Sequence, residues 1–250
     1  MEKSLFEYII RLADNELIIG HRLSEWCGHG PELEEDIALI NIALDHIGQC
    51  RSLYQLAGEV EGKGRAEDDL AYLRNERDFK NILLTEQPNG HYGDTIVRSF
   101  YYDSFMLLFY SELVNSNNKQ LSAIAEKSIK EVKYHYRHSS EWVIRLGDGT
   151  DESREKIQES VNNLWSYTGE MFEMDEIDHE MLNTGIGIDK NLIKKKWEDQ
   201  VKLVLDEATL QCPEGEFHHT GGRKGIHTEH LGFLLAEMQY LKRQQPEAIW

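Results

Sequence analysis

The sequence predicts an all-α protein, a bundle of helices with additional helices packed around its core. Three observations support this class. Apolar residues recur at intervals of three and four along most of the 250 residues, a convincing run of alternating strand residues is missing, and turn signals separate the periodic segments. Because the chain is 40% hydrophobic and has only 4 prolines, we expect one sizeable core and a single domain spanning residues 1–250.

Eight helices are predicted in order along the chain. The glycines and proline of residues 28–31 end the first helix, and acidic residues open the second. Residues 87–90, which read Gln-Pro-Asn-Gly, end the third. The core helices are predicted at roughly 4–27, 32–62, 91–115 and 120–146, and the additional helices at roughly 70–86, 153–173, 189–209 and 228–244.

Four of the predicted helices each carry one carboxylate on a stripe expected to face the core. These residues are Glu16, Asp45, Asp103 and Glu131. Intervals of 29 and 28 residues within the two pairs, separated by 58, indicate two antiparallel helix hairpins joined by a long crossover. That is the layout of ferritin-like bundles, in which two helices each supply a glutamate and two each supply Glu-x-x-His to a pair of metal ions.

The second predicted helix illustrates how the faces are assigned. Ile37, Leu44 and Gln55 share one side, and a small and polar stripe runs beside them, formed by Asn41, Asp45, Gly48 and Ser52. We expect this region of the helix, with Asp45, to face the core.

The imidazole ligands of a dinuclear centre are missing from this pattern. Gly48 stands three residues after Asp45, and the adjacent His46 is expected to point to another side of the helix. Tyr134 occupies the corresponding position after the fourth carboxylate, and His135 follows one residue late. Two hard cations need carboxylates and imidazoles together to complete their coordination. The sequence therefore predicts a degenerate metal site, with no bound metal and no catalytic residue in this chain.

Other interpretations of these residues stay open. Glu131 and His135, four residues apart, can pair with each other. Arg51 can neutralise Asp45, and Glu16 can reach solvent at the edge of the core.

Charge and cysteine content exclude other classes. A formal net charge of -18 predicts no affinity for nucleic acid or for anionic membranes. The longest apolar run, Phe105 to Tyr110, is too short to span a bilayer, and the first residues lack a signal-peptide pattern. Three dispersed cysteines are typical of a reducing compartment, so we expect a cytoplasmic protein.

Several short blocks of the chain occur in the same order in a known family. The blocks are residues 23–34, Leu44-Asp45-His46-Ile47-Gly48-Gln49, Glu86-Gln87-Pro88-Asn89-Gly90, Lys130-Glu131 with Tyr134-His135, and residues 220–231. With these blocks the chain resembles, over essentially its whole length, the small non-catalytic subunits of ring-1,2-phenylacetyl-CoA epoxidases, which act in phenylacetate catabolism and aromatic degradation.

The resemblance implies a ferritin-like fold and a structural role in an oxygenase complex. In that family a homologous catalytic subunit holds the di-iron centre and binds the acyl-CoA, and a reductase delivers electrons. The resemblance therefore implies that this chain stabilises and positions the catalytic subunit, holds no cofactor and is not catalytic alone. Self-association into a homodimer in the absence of the partner is a further expectation.

Two alternative functions stay open at the level of sequence. One is a ferritin-like protein with its own unusual metal centre, built from Asp45, Asp103, Glu131 and His135, with oxidase or oxygenase activity. The other is a plain helical interaction protein.

Two further patterns lie between residues 212 and 230. Residues 221–225 are rich in glycine and carry Arg223 and Lys224 before a helix, which is a weak anion-binding pattern. In the family setting these two cations are candidates for a contact with the partner subunit or with a CoA phosphate. The histidine-rich segment 218–230 matches no structural zinc spacing, so we expect a loop and a helix start with Thr228 as N-cap.

Overall fold

The computed structural model describes residues 1–215, 217–246 and 248. All regular structure in these residues is helical, which confirms the all-α class. The α-helices they contain are α1 Glu2–Ser24, α2 Leu33–Glu61, α3 Glu67–Tyr72, α4 Tyr92–Leu113, α5 Lys119–Gly147, α6 Asp151–Trp165, α7 Glu176–Asn183, α8 Lys190–Glu207 and α9 Glu229–Gln244. None of the helices in the described ranges has the length and apolar character that crossing a bilayer requires.

The chain forms two compact units. The first comprises residues 1–88 and the described residues from 221 onward, and the second comprises residues 89–220. The expectation of a single domain stays a prediction.

In the first unit, α1 and α2 form an antiparallel hairpin. Glycine at position 20 permits their close approach, because a Cβ built there would lie 3.1 Å from the Cβ of His46. Further back along α1, Asp14 accepts a hydrogen bond from Tyr54, which lies further forward along α2. The contacts therefore run in opposite directions along the two helices.

The predicted helix over residues 70–86 is wrong. The short helix α3 ends at Tyr72, a single 3-10 turn covers Glu76–Asp78, and the following residues to position 90 contain no α-helix. This stretch nevertheless buries Phe79 and Leu84 completely. The apolar residues of this stretch, which suggested a helix, are buried without forming one.

Side chains of α1 explain why residues 79–86 leave the helical path. Asp14 accepts a hydrogen bond from the backbone N–H of Lys80 at 2.7 Å, and Asn15 accepts one from Ile82 at 2.8 Å. These amides therefore find partners outside a helix, which removes the main penalty for an irregular buried backbone.

In the second unit, α4 and α5 form the other hairpin, and α6 and α8 pack beside it. The Asn118 side chain caps α5 by accepting from the N–H groups of Gln120 and Leu121 at 3.1 and 3.0 Å. Trp197 of α8 is 2% exposed, and its indole N–H donates to the carbonyl of Tyr101 in α4 at 3.1 Å. Buried aromatic contacts therefore attach α8 to this hairpin.

The predicted helix over 153–173 is too long. Helix α6 ends at Trp165, whose carbonyl accepts a hydrogen bond from the hydroxyl of Thr168 at 2.8 Å, and Gly169–Phe172 forms a separate 3-10 turn. Helix α7 was not predicted at all. Its start carries a recognisable signal, since Asp175 and Asp178 cap each other's backbone N–H groups in a capping box.

Candidate functional site

The Glu16 carboxylate lies in the core of the first unit, bonded to a histidine. Its side chain is fully buried, and Oε2 lies 2.6 Å from Nδ1 of His46, which is 1% exposed. His46 does lie on another side of α2 from the open Gly48, as expected, but this side, rather than the one with Asp45, is buried in the core. The alternative that places Glu16 at the solvent edge is wrong.

The orientation of α2 also differs from the expected one. Ile37 and Leu44 are 51% and 63% exposed, whereas Leu39 and Leu53 are buried. Asp45 is half-buried rather than in the core. Apolar residues occur around the whole circumference of α2, so their periodicity did not identify the buried side. Contacts with α1 determine which side of α2 is buried.

The position expected for the first imidazole ligand offers no donor atom. It is Gly48, where an added Cβ would meet no described atom within 4 Å. Arg51, one turn further on, does not compensate for Asp45. Its Nε donates to Glu67 of α3 at 3.1 Å.

Replacing Glu16 by alanine is expected to lower the free energy of unfolding by about 1–3 kcal/mol, because His46 Nδ1 would lose this buried partner. Glu16→Gln keeps a side-chain oxygen and is expected to cost less. Urea denaturation of both variants measures the difference, and equal losses would contradict the importance of the hydrogen bond.

A second buried carboxylate, Asp14, was not predicted. The hydroxyl of Tyr54 donates to it at 2.5 Å, and the guanidinium of Arg74 forms a two-nitrogen ion pair with it, at 3.0 Å for the first nitrogen. Burial disfavours the charged form of Arg74, but the carboxylate outweighs this effect, so the pKa of Arg74 is raised above its ordinary value. The sequence did hold a signal, since residues 14–16 read Asp-Asn-Glu within an otherwise apolar stretch.

Glu86 is the third buried carboxylate of this unit, and its burial was not predicted either. Oε1 accepts from the N–H and the hydroxyl of Thr228 at 2.6 and 2.8 Å, and Oε2 accepts from Asn81 at 2.9 Å and lies 2.8 Å from Nδ1 of His227. Thr228 is the N-cap of α9 by position, as expected. Its hydroxyl bonds to Glu86 rather than to an amide of α9.

His227 is held in its charged form by this arrangement. The second ring nitrogen, Nε2, lies 3.0 Å from the carbonyl of Phe79. Because a carboxylate and a carbonyl only accept, both ring nitrogens must donate. Burial by itself lowers the pKa of His227, but the hydrogen bond and charge of Glu86 outweigh it, and the net shift is upward.

The glycine-rich loop is explained by packing. A Cβ at Gly222 would lie 2.2 Å from the carbonyl oxygen of Asn81, and one at Gly225 would lie 2.2 Å from that of Arg77. Arg223 is only 6% exposed, whereas Lys224 is exposed. A contact of this loop with a partner or an anion stays a prediction, and of the two cations Lys224 alone is at the surface.

In the second unit, the hairpin of α4 and α5 places two of the expected residues inside. Asp103 is 2% exposed and accepts a hydrogen bond from the hydroxyl of Ser139 at 2.8 Å, and His135 is fully buried. Glu131 is half-buried, and Tyr134 is 39% exposed with its ring beside that of His138. The interaction of Ser139 with the carboxylate was not predicted.

Each hairpin, considered separately, departs from the residue pattern of a carboxylate-bridged dinuclear centre. In the first hairpin the half-buried Asp45 and the donorless Gly48 occupy the Glu-x-x-His positions. In the second, Tyr134 stands at the surface in the imidazole position. These residues, all in the described part of the chain, depart from the two Glu-x-x-His motifs that hold two metal ions in ferritin-like carboxylate proteins.

Comparison with known proteins places these features in context. A family model described as phenylacetic acid catabolic protein matches residues 1–250. The chain is 48% identical over 246 residues to one subunit of the 1,2-phenylacetyl-CoA epoxidase of Escherichia coli (strain K12). The alignment covers 98% of this chain and 99% of that protein, so the similarity extends across both compact units.

Proposed function

Because this chain belongs to the phenylacetic acid catabolic protein family, we propose that it is the structural, non-catalytic subunit of a multicomponent phenylacetyl-CoA epoxidase. It stabilises and positions a homologous catalytic subunit in the cytoplasm, during aerobic catabolism of phenylacetate. The di-iron cofactor belongs to that partner, and this chain holds none. Pairing of the free chain with a second copy stays a prediction.

The proposal rests mainly on the residues that α2 offers as metal ligands. His46 is the single histidine in this helix, and its Nδ1 is committed to Glu16 at 2.6 Å. Gly48 stands where the helix of a catalytic relative would present an imidazole. A chain that has lost this ligand retains the bundle but not the means to hold two metal ions in the usual way.

Metal content and turnover test the proposal together. The chain is expressed alone in medium supplemented with iron and manganese, purified without chelator, and analysed by mass spectrometry for bound metal. We expect far less than one ion per chain and no epoxidation of phenylacetyl-CoA with reductase added. We also expect the catalytic subunit to lose stability or turnover when this chain is omitted.

Two results would overturn this function. A content of about two ions per chain that is lost in Glu131→Ala would identify an independent dinuclear enzyme. Full stability and turnover of the catalytic subunit without this chain would leave a helical interaction protein with another partner.

A further inference from the structure

The N-terminal half of α2 presents an apolar line to solvent. Leu33, Ile37 and Leu44 are 71%, 51% and 63% exposed, and their spacing places them on one side of the helix. Gly48 continues the line, and its surroundings are open, since a Cβ built there meets no described atom within 4 Å. We call these four residues the α2 outer face.

The other surfaces of α2 differ from the α2 outer face. The opposite side of the helix is buried, with Leu39 at 1% and Leu53 at 0% exposure. On the outer side, the C-terminal half carries polar side chains instead, and Arg51 and Gln55 donate to Glu67 of α3 at 3.1 and 3.0 Å. The N-terminal half is a well-formed helix that has one side packed and the other side exposed.

The charge around the α2 outer face is predominantly negative, since the one cation of α2, Arg51, pairs with Glu67 of α3 at 3.1 Å. Residues 23–50 contain no lysine or arginine. They contain six carboxylates, which are Glu25, Glu32, Glu34, Glu35, Asp36 and Asp45. Glu34 lies on one flank of the apolar line and Asp36 on the other, since each is about 60–100° from it around a helix with about 100° per residue.

This pattern identifies the kind of partner. Two copies of the chain joined through this face would bring two acidic rims together, which costs free energy and disfavours self-association here. A partner helix with an apolar ridge between lysine or arginine side chains would bury the three apolar residues and pair with the rim. Gly48 would allow that ridge to approach the α2 backbone closely.

We propose that the α2 outer face is the docking surface for the catalytic epoxidase subunit, which meets it with an apolar ridge flanked by basic side chains. The inference rests on the proposed function, which supplies the partner. It adds the surface, the charge of the complementary surface, and the exclusion of a second copy from this face.

The test uses the full chain, immobilised, with the purified catalytic subunit of the same epoxidase as the probe. Leu44→Asp is expected to raise the Kd by about tenfold or more, equivalent to about 1.4 kcal/mol. The matched control is Leu203→Asp in α8, where the leucine is 68% exposed, and its Kd is expected to match the wild-type value. Circular dichroism melts verify that both variants fold.

Charge reversal supplies a second measurement. Glu34→Lys is expected to slow association several-fold at low salt, and this difference is expected to disappear near 1 M salt, where the Debye length is about 3 Å. An unchanged association rate at low salt would refute the basic character of the partner surface.

The remaining outcomes separate the inference from the function it rests on. If the wild-type chain binds the catalytic subunit and Leu44→Asp binds equally well, the docking surface is wrong while the proposed function stands. If the wild-type chain does not bind, the proposed function fails and takes the inference with it. If light scattering finds a wild-type dimer that Leu44→Asp dissociates, the occupant is a second copy and the inference is refuted.

Discussion

Replacing Asp14 by alanine is expected to lower the free energy of unfolding by about 3–5 kcal/mol. The Arg74 guanidinium is buried against this carboxylate, and in the variant its charge would stay in the core without a counterion. The backbone N–H of Lys80 and the hydroxyl of Tyr54 would lose the same acceptor. Urea denaturation monitored by circular dichroism measures the change.

An exposed ion pair provides the matched control. Asp199 and Lys195 lie four residues apart on α8 with side chains 63% and 75% exposed, and Asp199→Ala is expected to change stability by less than about 1 kcal/mol. If Asp14→Ala does not fold, Asp14→Asn keeps the acceptor oxygen and tests the charge alone. A loss in Asp14→Asn no larger than that of the surface control would contradict the buried ion pair.

The buried Glu86 to His227 pair is expected to make stability depend on pH. The pKa of His227 is raised in the folded chain, while its value in the unfolded chain is about 6.5. The pair's contribution is therefore complete below about pH 6.5, and it is lost as the pH rises through the folded-state pKa. Removing the carboxylate in Glu86→Ala is expected to cost about 3–5 kcal/mol near pH 6, because the imidazolium would lose its counterion, and less at higher pH.

The measurement is a series of urea denaturations from pH 6 to pH 9 on the wild-type chain and on His227→Gln. The decline in stability with rising pH is expected to be steeper in the wild-type chain, since the variant has no imidazole at this position to titrate. Parallel curves would show that the pKa of His227 is the same in the folded and unfolded chains, which would contradict the raised value. Glu86→Gln, which keeps an acceptor without charge, separates loss of the hydrogen bonds from loss of the ion pair.

Asp14 and Glu86 both hold irregular backbone segments in place. Asp14 binds the N–H of Lys80, and Glu86 binds the N–H of Thr228, so each fixes a segment that has no helical hydrogen bond at that position. The helical hairpin of the first unit therefore holds the segment 79–90 through Asp14, and that segment in turn holds the start of α9 through Glu86. These interactions join residues 66 and 142 positions apart.

Local signals in the sequence determined the helical class and most helix positions. Helices α1, α2, α4, α5, α8 and α9 lie within a few residues of the predicted ranges, because periodicity and breakers such as Gly28 and Pro88 act over a few neighbouring residues. The inward position of Asp103 and His135 also followed from the periodicity of α4 and α5. Both helices have a stripe of small and apolar residues that defines one buried side.

The tertiary structure alone decided which side of α2 is buried and where the buried charges find partners. Apolar residues surround α2, so contacts with α1 select His46 for the core and leave Leu44 in solvent. The partners of Asp14 and Glu86 stand up to 142 positions away. A sequence pattern that spans a few residues cannot reveal partners that are so remote in sequence. Such pairings form only when remote segments pack together and exclude water.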